Sequence, residues 1–267
     1  MIEANQPSTL APFPLIPAIE DLIPTHFTEL ELTDYIERYM QTAKSFHPYT
    51  IKAAEKGEAD IEMRYIRKKF TLKQTRAILD KCEKENISVH GAISAAHILA
   101  MRDISGKEEA VDISCHSPIN IRPLLKPPQE NSDMVSAALG YTHYQTISPE
   151  MSFAMIGESV TTTIKNCIDN GDLFKALLTV RETRLKVFLA TSIGISNLGS
   201  VNLPPKFRKL KFVSINFMGR FPFAMLTGFV STSGKKLTIM YPYAKPYYST
   251  HAVSKLANLA EEYLLKS

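Results

Sequence analysis

Apolar residues recur at helical spacing in several stretches of the chain. Between positions 71 and 86, and again from Ser88, they fall every three or four residues, which places them on one face of a helix. Gln74 follows Thr71 by three residues, the spacing of a capping box, and so indicates a helix start. Further helices are predicted at 152–167 and around 173–188. The predicted buried face of a last helix comprises Val253, Leu256, Ala260, Tyr263 and Leu264.

Alternating apolar and polar residues predict strands between these helices. Val111, Ile113 and Cys115 alternate with polar residues, a pattern typical of a strand with one buried face. The other predicted strands are 63–70, 140–147, 193–199, 223–230 and 237–241. A hairpin at 232–235 joins the last two, with a glycine where a positive backbone angle is expected. Interspersed helices and strands predict an α/β fold with a mixed sheet.

The first part of the chain differs from the rest in its proline content. Five prolines fall within the first 24 residues, which prevents a continuous helix and favours extended or turn conformations. Apolar residues lie between them, so this arm is expected to pack against another surface, as a connector from an earlier domain would. Residues 43–62 contain few large apolar side chains and are predicted to form a loop. We therefore predict a connector arm and loop at 1–62 and a folded subdomain at 63–267.

Composition narrows the classes of function. The net charge of +4 is too small to indicate a nucleic-acid or membrane-surface partner. The three cysteines lack CxxC spacing, so they are interpreted as small core residues rather than zinc ligands or disulfide partners. A secretion signal and an apolar run of membrane-spanning length are both missing from the sequence. A cytoplasmic location is the expectation.

The seven histidines are all isolated, and no HHxxxD motif is present. Such a motif would supply a general base together with an aspartate that fixes its surroundings. His90 and His97 share a predicted helix face, but metal ligands are usually closer in sequence and more numerous. Packed histidines are the favoured interpretation, and no metal site is predicted.

Several motifs occur in an order that resembles the C-terminal half of the condensation-domain and alcohol acyltransferase superfamily. The resemblance is nearest to its dimycocerosyl-transferase and alcohol-acetyltransferase branch. The motifs are the proline-rich segment 14–24, the Ser-Val-His-Gly-Ala-Ile-Ser-Ala-Ala segment 88–96, Pro-Ile-Asn-Ile-Arg at 118–122, Ile-Ser-Asn-Leu-Gly at 195–199, and the last hairpin and helix. The fold implied is that of chloramphenicol acetyltransferase, a two-layer sandwich of a mixed sheet with helices packed on one face.

The resemblance also implies that two halves contribute different residues to one active site. In that family an N-terminal half carries HHxxxD, and its aspartate pairs with an arginine on a strand of the C-terminal half. Arg122 matches this arginine and would support the site structurally. The implied partners are an HHxxxD half, in the same gene or on a separate chain, and an acyl thioester of coenzyme A or a carrier protein as co-substrate. No tightly bound cofactor is implied.

Other candidate residues are interpreted against the same resemblance. Ser196 and Asn197 match a loop that faces the substrate tunnel, where they would orient the acceptor or polarise the thioester carbonyl. A strand-ending turn capped by Asn197 and a glycine remains an equal alternative. Asn120 shares strand parity with Arg122 and is predicted to face the same way. His116 and His143 lie near strand ends and would line the tunnel.

Two classes of function remain. In the first, the chain is the C-terminal half of an acyltransferase that moves an acyl group from a thioester to an alcohol or amine, inactive without the HHxxxD half. In the second, it is a non-catalytic binding or interaction protein that retains the acyltransferase half-fold. An HHxxxD segment upstream of residue 1 would favour the first class.

Overall fold

A computed structural model describes residues 16–51, 62–130, 133, 135–183, 191–202, 206–207, 210–211, 214–219, 225–245 and 247–266. The helices are α1 (Glu29–Ser45), α2 (Leu72–Lys84), α3 (Val89–Ser105), α4 (Phe153–Asp169), α5 (Asp172–Thr183) and α6 (Thr250–Leu265). The strands are β1 (Glu62–Lys69), β2 (Val111–Asn120), β3 (Ala138–Ile147), β4 (Ile193–Ser200), β5 (Lys206–Phe207), β6 (Leu210–Lys211), β7 (Thr227–Ser233) and β8 (Lys236–Lys245). Short 3-10 turns occupy Ile19–Leu22 and Arg122–Leu124.

Six strands form one mixed sheet in the order β1-β8-β7-β4-β2-β3. The pairs β1–β8, β7–β8 and β2–β3 are antiparallel, whereas β4 runs parallel to both β2 and β7. Strands β5 and β6 form a separate two-stranded hairpin. The mixed sheet predicted from the sequence is confirmed.

Helices α2, α3, α4 and α6 pack on one face of this sheet and enclose the main core. Helix α3 lies between α4 and α6, so every residue from Gly91 to Met101 is buried. From the sheet, Ile113 and Cys115 of β2 and Ile193 and Ile195 of β4 point into this core. The predicted α/β sandwich, with its main layer of helices on one face of the sheet, is therefore confirmed.

The predicted helix starts are confirmed in detail. Thr71 Oγ1 accepts a hydrogen bond from the Gln74 amide at 3.2 Å, and Gln74 Oε1 accepts one from the Thr71 amide at 2.9 Å. Ser88 Oγ accepts from the Gly91 amide at 2.9 Å and caps α3. These bonds satisfy amide groups that have no partner within the helix.

Helix α1 was not predicted, and it lies inside the region expected to be arm and loop. Thr28 and Glu31 form a capping box at its start. Just before it, Leu22 packs into a second, smaller core with Ile121 and Leu173. This packing agrees with the expectation that the arm lies against another surface, although residues 1–15 are outside the described range.

Two predicted boundaries extend beyond the described residues. Strand β7 begins at Thr227, and the predicted start at 223–224 falls outside the described residues. Helix α5 ends at Thr183, and the remainder of the predicted helical region is also outside that range. At the β7–β8 turn both Gly234 and Lys235 have positive φ, at 54° and 61°.

Within the described part of the chain, none of the helices has the length and hydrophobicity needed to span a membrane.

Candidate functional site

Four of the candidate residues follow the point at which the parallel strands β2 and β4 stop pairing. These strands pair only through Cys115 with Ile193 and His116 with Gly194, among the described residues. Beyond that point the two strands separate. Because they are parallel, their carboxyl ends lie at the same end of the sheet. The segments that carry Asn120 and Arg122, on one side, and Ser196 and Asn197, on the other, follow this separation. Ligands of open α/β sheets commonly bind where neighbouring strands diverge in this way.

Arg122 lies just after β2, in the turn Arg122–Leu124 rather than on a strand. The backbone leaves the extended conformation at Ile121, where φ is −97° and ψ is 0°. Strand parity therefore does not extend from Asn120 to Arg122, and the prediction that both share a face loses its basis. Asn120 is exposed, and its side-chain Oδ1 accepts a hydrogen bond from the Arg122 amide at 3.2 Å.

The Arg122 side chain is half-buried and only partly satisfied. Its Nη2 donates to the carbonyl oxygen of Val135 at 2.8 Å. Its Nε is buried and has no acceptor among the described residues. A guanidinium group donates five hydrogen bonds in a planar fork that suits a carboxylate. The position thus has unused donor capacity at the edge where β2 and β4 separate.

The Asn197 side chain forms a hydrogen bond within its own turn. Its Oδ1 accepts a hydrogen bond from the Gly199 amide at 2.8 Å, and Gly199 has a φ of 68°. This is the strand-ending turn that the sequence left open as an alternative. Ser196 is half-buried and lies two residues after Gly194, so it shares a sheet face with His116. Asn197 alternates to the opposite face.

His116 is buried on the sheet face opposite the main core. Its Nδ1 lies 3.0 Å from Thr142 Oγ1. Burial lowers the pKa of His116 to about 4, so the imidazole is neutral at neutral pH. Gly140 lies directly against the ring, and a Cβ at this position would overlap it. Only glycine permits this close approach.

His143 lies on the other side of the sheet. It pairs with Cys115 in the β2–β3 register, while His116 pairs with Thr142, so the two histidines face opposite ways. His143 Nε2 donates to Gln145 Oε1 at 3.0 Å. Burial lowers the pKa of His143, and a smaller opposing effect comes from this hydrogen bond. The structure does not bring the two histidines together.

His90 and His97 are packed side chains. His90 Nε2 is hydrogen-bonded to Ser117 Oγ at 2.8 Å, and His97 Nε2 to the Tyr241 hydroxyl at 2.8 Å. Burial lowers the pKa of both histidines to about 4. The described residues contain no group of three or more His, Cys, Asp or Glu side chains arranged to hold a metal ion.

A cavity of about 370 Å³ lies between α1, α5 and β3, with His116 in its wall. Four of the chain's eleven tyrosines line it: Tyr35, Tyr39, Tyr141 and Tyr144. The sequence interpretation missed this cavity because it placed no helix at 29–45. Tyr35 and Tyr39 are one helical turn apart, and the Thr28–Glu31 capping box is the signal that would have revealed the helix.

Solved structures of several acyl-transfer and condensation proteins share this fold. A trichothecene 15-O-acetyltransferase from Fusarium sporotrichioides matches with a TM-score of 0.74 and 12% identity, over 93% of this chain and 56% of its own. Polyketide synthase associated protein 5 from Mycobacterium tuberculosis matches with a TM-score of 0.63 and 12% identity, over 96% and 64%. The epimerization domain of the third module of tyrocidine synthetase B matches with a TM-score of 0.61 and 15% identity, over 89% and 55%.

The chain therefore spans little more than half the length of these structures. A search of curated proteins finds no match. The sequence model of one family, described as "Phthiocerol/phthiodiolone dimycocerosyl transferase C-terminus", matches residues 59–254, which is most of the chain. Together with the sheet order and the helices on one face, this match shows that the chain belongs to that acyltransferase C-terminal family.

Proposed function

We propose that the chain supplies the C-terminal half of an acyltransferase site, which moves an acyl group from a thioester to an alcohol or amine. The donor is an acyl thioester of coenzyme A or of a carrier protein, used as a co-substrate rather than as a tightly bound cofactor. Catalysis requires an HHxxxD half, either on the same polypeptide or on a second chain. That half supplies the base that takes the proton from the attacking hydroxyl or amine.

One observation carries this proposal: the buried Arg122 Nε has no acceptor among the described residues. A buried donor without a partner is costly, and a carboxylate from outside this half would satisfy it through a charge-assisted hydrogen bond. The aspartate of HHxxxD is such a carboxylate. Arg122 would then fix the loop that holds the catalytic histidine, without taking part in proton transfer.

Exposed apolar side chains in β4 and in the segment before β7 support the presence of a second surface that covers this part of the chain. Leu198 and Met218 are 54% and 50% exposed, and Ile215 is 38% exposed. The Ile215 backbone is held against β7 by hydrogen bonds with Ser231 and Ser233 at 3.3 Å. A second half of the enzyme would bury these side chains.

The test compares the 267-residue chain alone with the chain plus an HHxxxD half, using release of free thiol from an acyl thioester in the presence of an alcohol. We expect no release above the uncatalysed background from the chain alone, and turnover when the second half is added. Turnover by the isolated chain would overturn the proposal that the site is incomplete.

The alternative is a non-catalytic binding protein that keeps the half-fold. The cavity between α1, α5 and β3 favours it, because its walls come from this chain alone. If adding the HHxxxD half gives no turnover while the isolated chain binds a ligand, this alternative is supported.

A further inference from the structure

The cavity between α1, α5 and β3 has the dimensions of a ligand site. Its volume of about 370 Å³ falls within the range typical of small-molecule pockets, roughly 300–1,000 Å³. Its walls are largely apolar and aromatic, with Ile36, Leu139, Leu173 and Leu177 beside the tyrosine rings. Such walls favour the apolar body of a ligand over water.

The four tyrosines of the cavity differ in the solvent exposure of their hydroxyl groups. Those of Tyr39 and Tyr144 are sealed from solvent and lie near each other. The hydroxyls of Tyr35 and Tyr141 are not sealed in this way, and neither makes a hydrogen bond with another described residue. Tyr35 and Tyr141 therefore hold two donors available to a molecule in the cavity.

Both of these phenols stay protonated at physiological pH. Burial, with further contributions from nearby Cys167 and Asp172, raises the pKa of Tyr141 to about 12. The same causes raise the pKa of Tyr35 well above its ordinary value. A protonated phenol donates a hydrogen bond to an oxygen atom of a ligand.

The charges around the cavity oppose a charged ligand. Asp172 is already paired with Lys175, whose Nζ lies 3.3 Å from Asp172 Oδ1. Arg38 is exposed, so solvent screens its charge, and its Nε donates to the carbonyl oxygen of Asp34 at 3.3 Å. A ligand charge inside apolar walls would lose its hydration without gaining a dedicated partner.

We propose that this cavity binds an uncharged small molecule with an apolar body and a hydroxyl or carbonyl oxygen, which accepts hydrogen bonds from Tyr35 and Tyr141. The inference goes beyond the proposed acyl transfer, because the residues that line the cavity are in this chain and binding is tested without a second half. An alcohol and the chain of an acyl ester share this chemistry, so the test must separate them.

The test is calorimetric titration of the 267-residue chain with 1-octanol, methyl octanoate and octanoate. We expect one or both neutral probes to bind, and octanoate to bind at least about tenfold more weakly. Preference for 1-octanol would identify the natural ligand as an alcohol, and preference for methyl octanoate would identify it as an acyl group. Because the chain contains no tryptophan, tyrosine fluorescence gives an independent readout, to which four of the eleven tyrosines contribute from the cavity.

Matched variants locate the binding site. Tyr35→Phe and Tyr141→Phe keep the rings and remove the donors, and each should weaken binding of the preferred neutral probe about fivefold. Tyr65→Phe changes an exposed tyrosine on β1 and should leave binding unchanged. Ala176→Trp fills the cavity and should abolish binding, with circular dichroism checking that each variant is folded.

Several results would overturn the inference: no binding of either neutral probe, equal binding of octanoate, or binding that survives Ala176→Trp in a folded protein. Equal affinities for Tyr35→Phe, Tyr141→Phe and Tyr65→Phe would also overturn it. None of these measurements uses acyl transfer. If the chain with an added HHxxxD half releases no thiol, the proposed function is overturned and the binding result is unaffected.

Discussion

The Tyr241 hydroxyl donates a hydrogen bond to His97 Nε2 at 2.8 Å, deep in the main core. The direction follows from the other ring nitrogen, because His97 Nδ1 donates to the Ile93 carbonyl at 2.7 Å. Both side chains are fully buried, with 0% exposure. This bond joins α3 to β8, and the two bonded residues are 144 positions apart in the sequence.

Tyr241→Phe should destabilise the fold by about 1–3 kcal/mol, because it leaves His97 Nε2 buried without a donor. The ring and its packing are retained, so the loss reports the hydrogen bond. Urea unfolding followed by circular dichroism measures it. Tyr65→Phe, at an exposed position, is the control and should change stability by less than about 0.5 kcal/mol. Equal effects for the two substitutions would contradict the role given to this bond.

Stability should fall as pH decreases from about 6.5 toward 4. The pKa values of His90, His97 and His116 are lowered by burial from 6.5 to about 4 in the folded state. The unfolded chain therefore takes up protons in this window that the folded chain does not bind. Each such histidine lowers the unfolding free energy by about 1.4 kcal/mol per pH unit. Urea titrations across the window measure this slope, and a flat or rising profile would contradict the prediction.

Gly140→Ala should cost about 1–3 kcal/mol, because the added Cβ overlaps the His116 ring and forces it to move. The matched control is the same substitution in a His116→Ala background, where the overlap is removed. There the cost should be less than half as large. A double-mutant cycle of unfolding free energies isolates this coupling. Additive effects would show that the glycine is needed for another reason.

Lys81 on α2 caps the end of α6. Its Nζ donates to the carbonyl oxygens of Lys266 and Tyr263 at 2.6 and 3.3 Å and lies 3.9 Å from the centre of the Phe153 ring. Lys81→Met keeps the length but removes the donor, and should cost about 1–2 kcal/mol in thermal unfolding. Lys84→Met, on the exposed side of α2, should cost less than about 0.5 kcal/mol.

Arg122→Ala should lower kcat of the enzyme completed by an HHxxxD half, with little change in the donor's KM. The reason is that Arg122 holds the carboxylate and its loop rather than the donor. Arg122→Lys keeps the charge but not the planar fork, and should recover only part of the activity. Steady-state kinetics separates the two parameters. A variant that mainly raises the donor's KM would contradict the positioning role.

Local signals in the sequence predicted the α/β fold well where they did not depend on distant partners. Thr71, Gln74 and Ser88 mark helix starts through contacts within four residues, and these contacts form as expected. Helix α1 shows the opposite case. Its Thr28–Glu31 capping box is equally local, but it lies between the proline-rich segment and the 43–62 stretch, and the whole of 1–62 was predicted to be arm and loop. The helix is held mainly by α5, which the sequence alone does not place beside it.

The candidate site was harder to predict, because its geometry depends on register between strands. His116 and His143 both lie near strand ends, yet the β2–β3 pairing turns them to opposite faces. Arg122 continues an apparent strand in the sequence, but its backbone enters a turn at Ile121. The cavity tyrosines come from α1 and β3, which are far apart in sequence.

The position of β1 at the edge of the sheet has a consequence for synthesis. Among the described strands β8 is its one neighbour, and Lys69 pairs with Thr238. As the chain leaves the ribosome, β1 emerges before its partner β8, because Thr238 lies 169 residues after Lys69. The basic residues of this unpaired edge strand are Arg64, Arg67, Lys68 and Lys69, and their charge discourages pairing with other chains. The order of translation therefore makes protection of β1 part of how this protein reaches its fold.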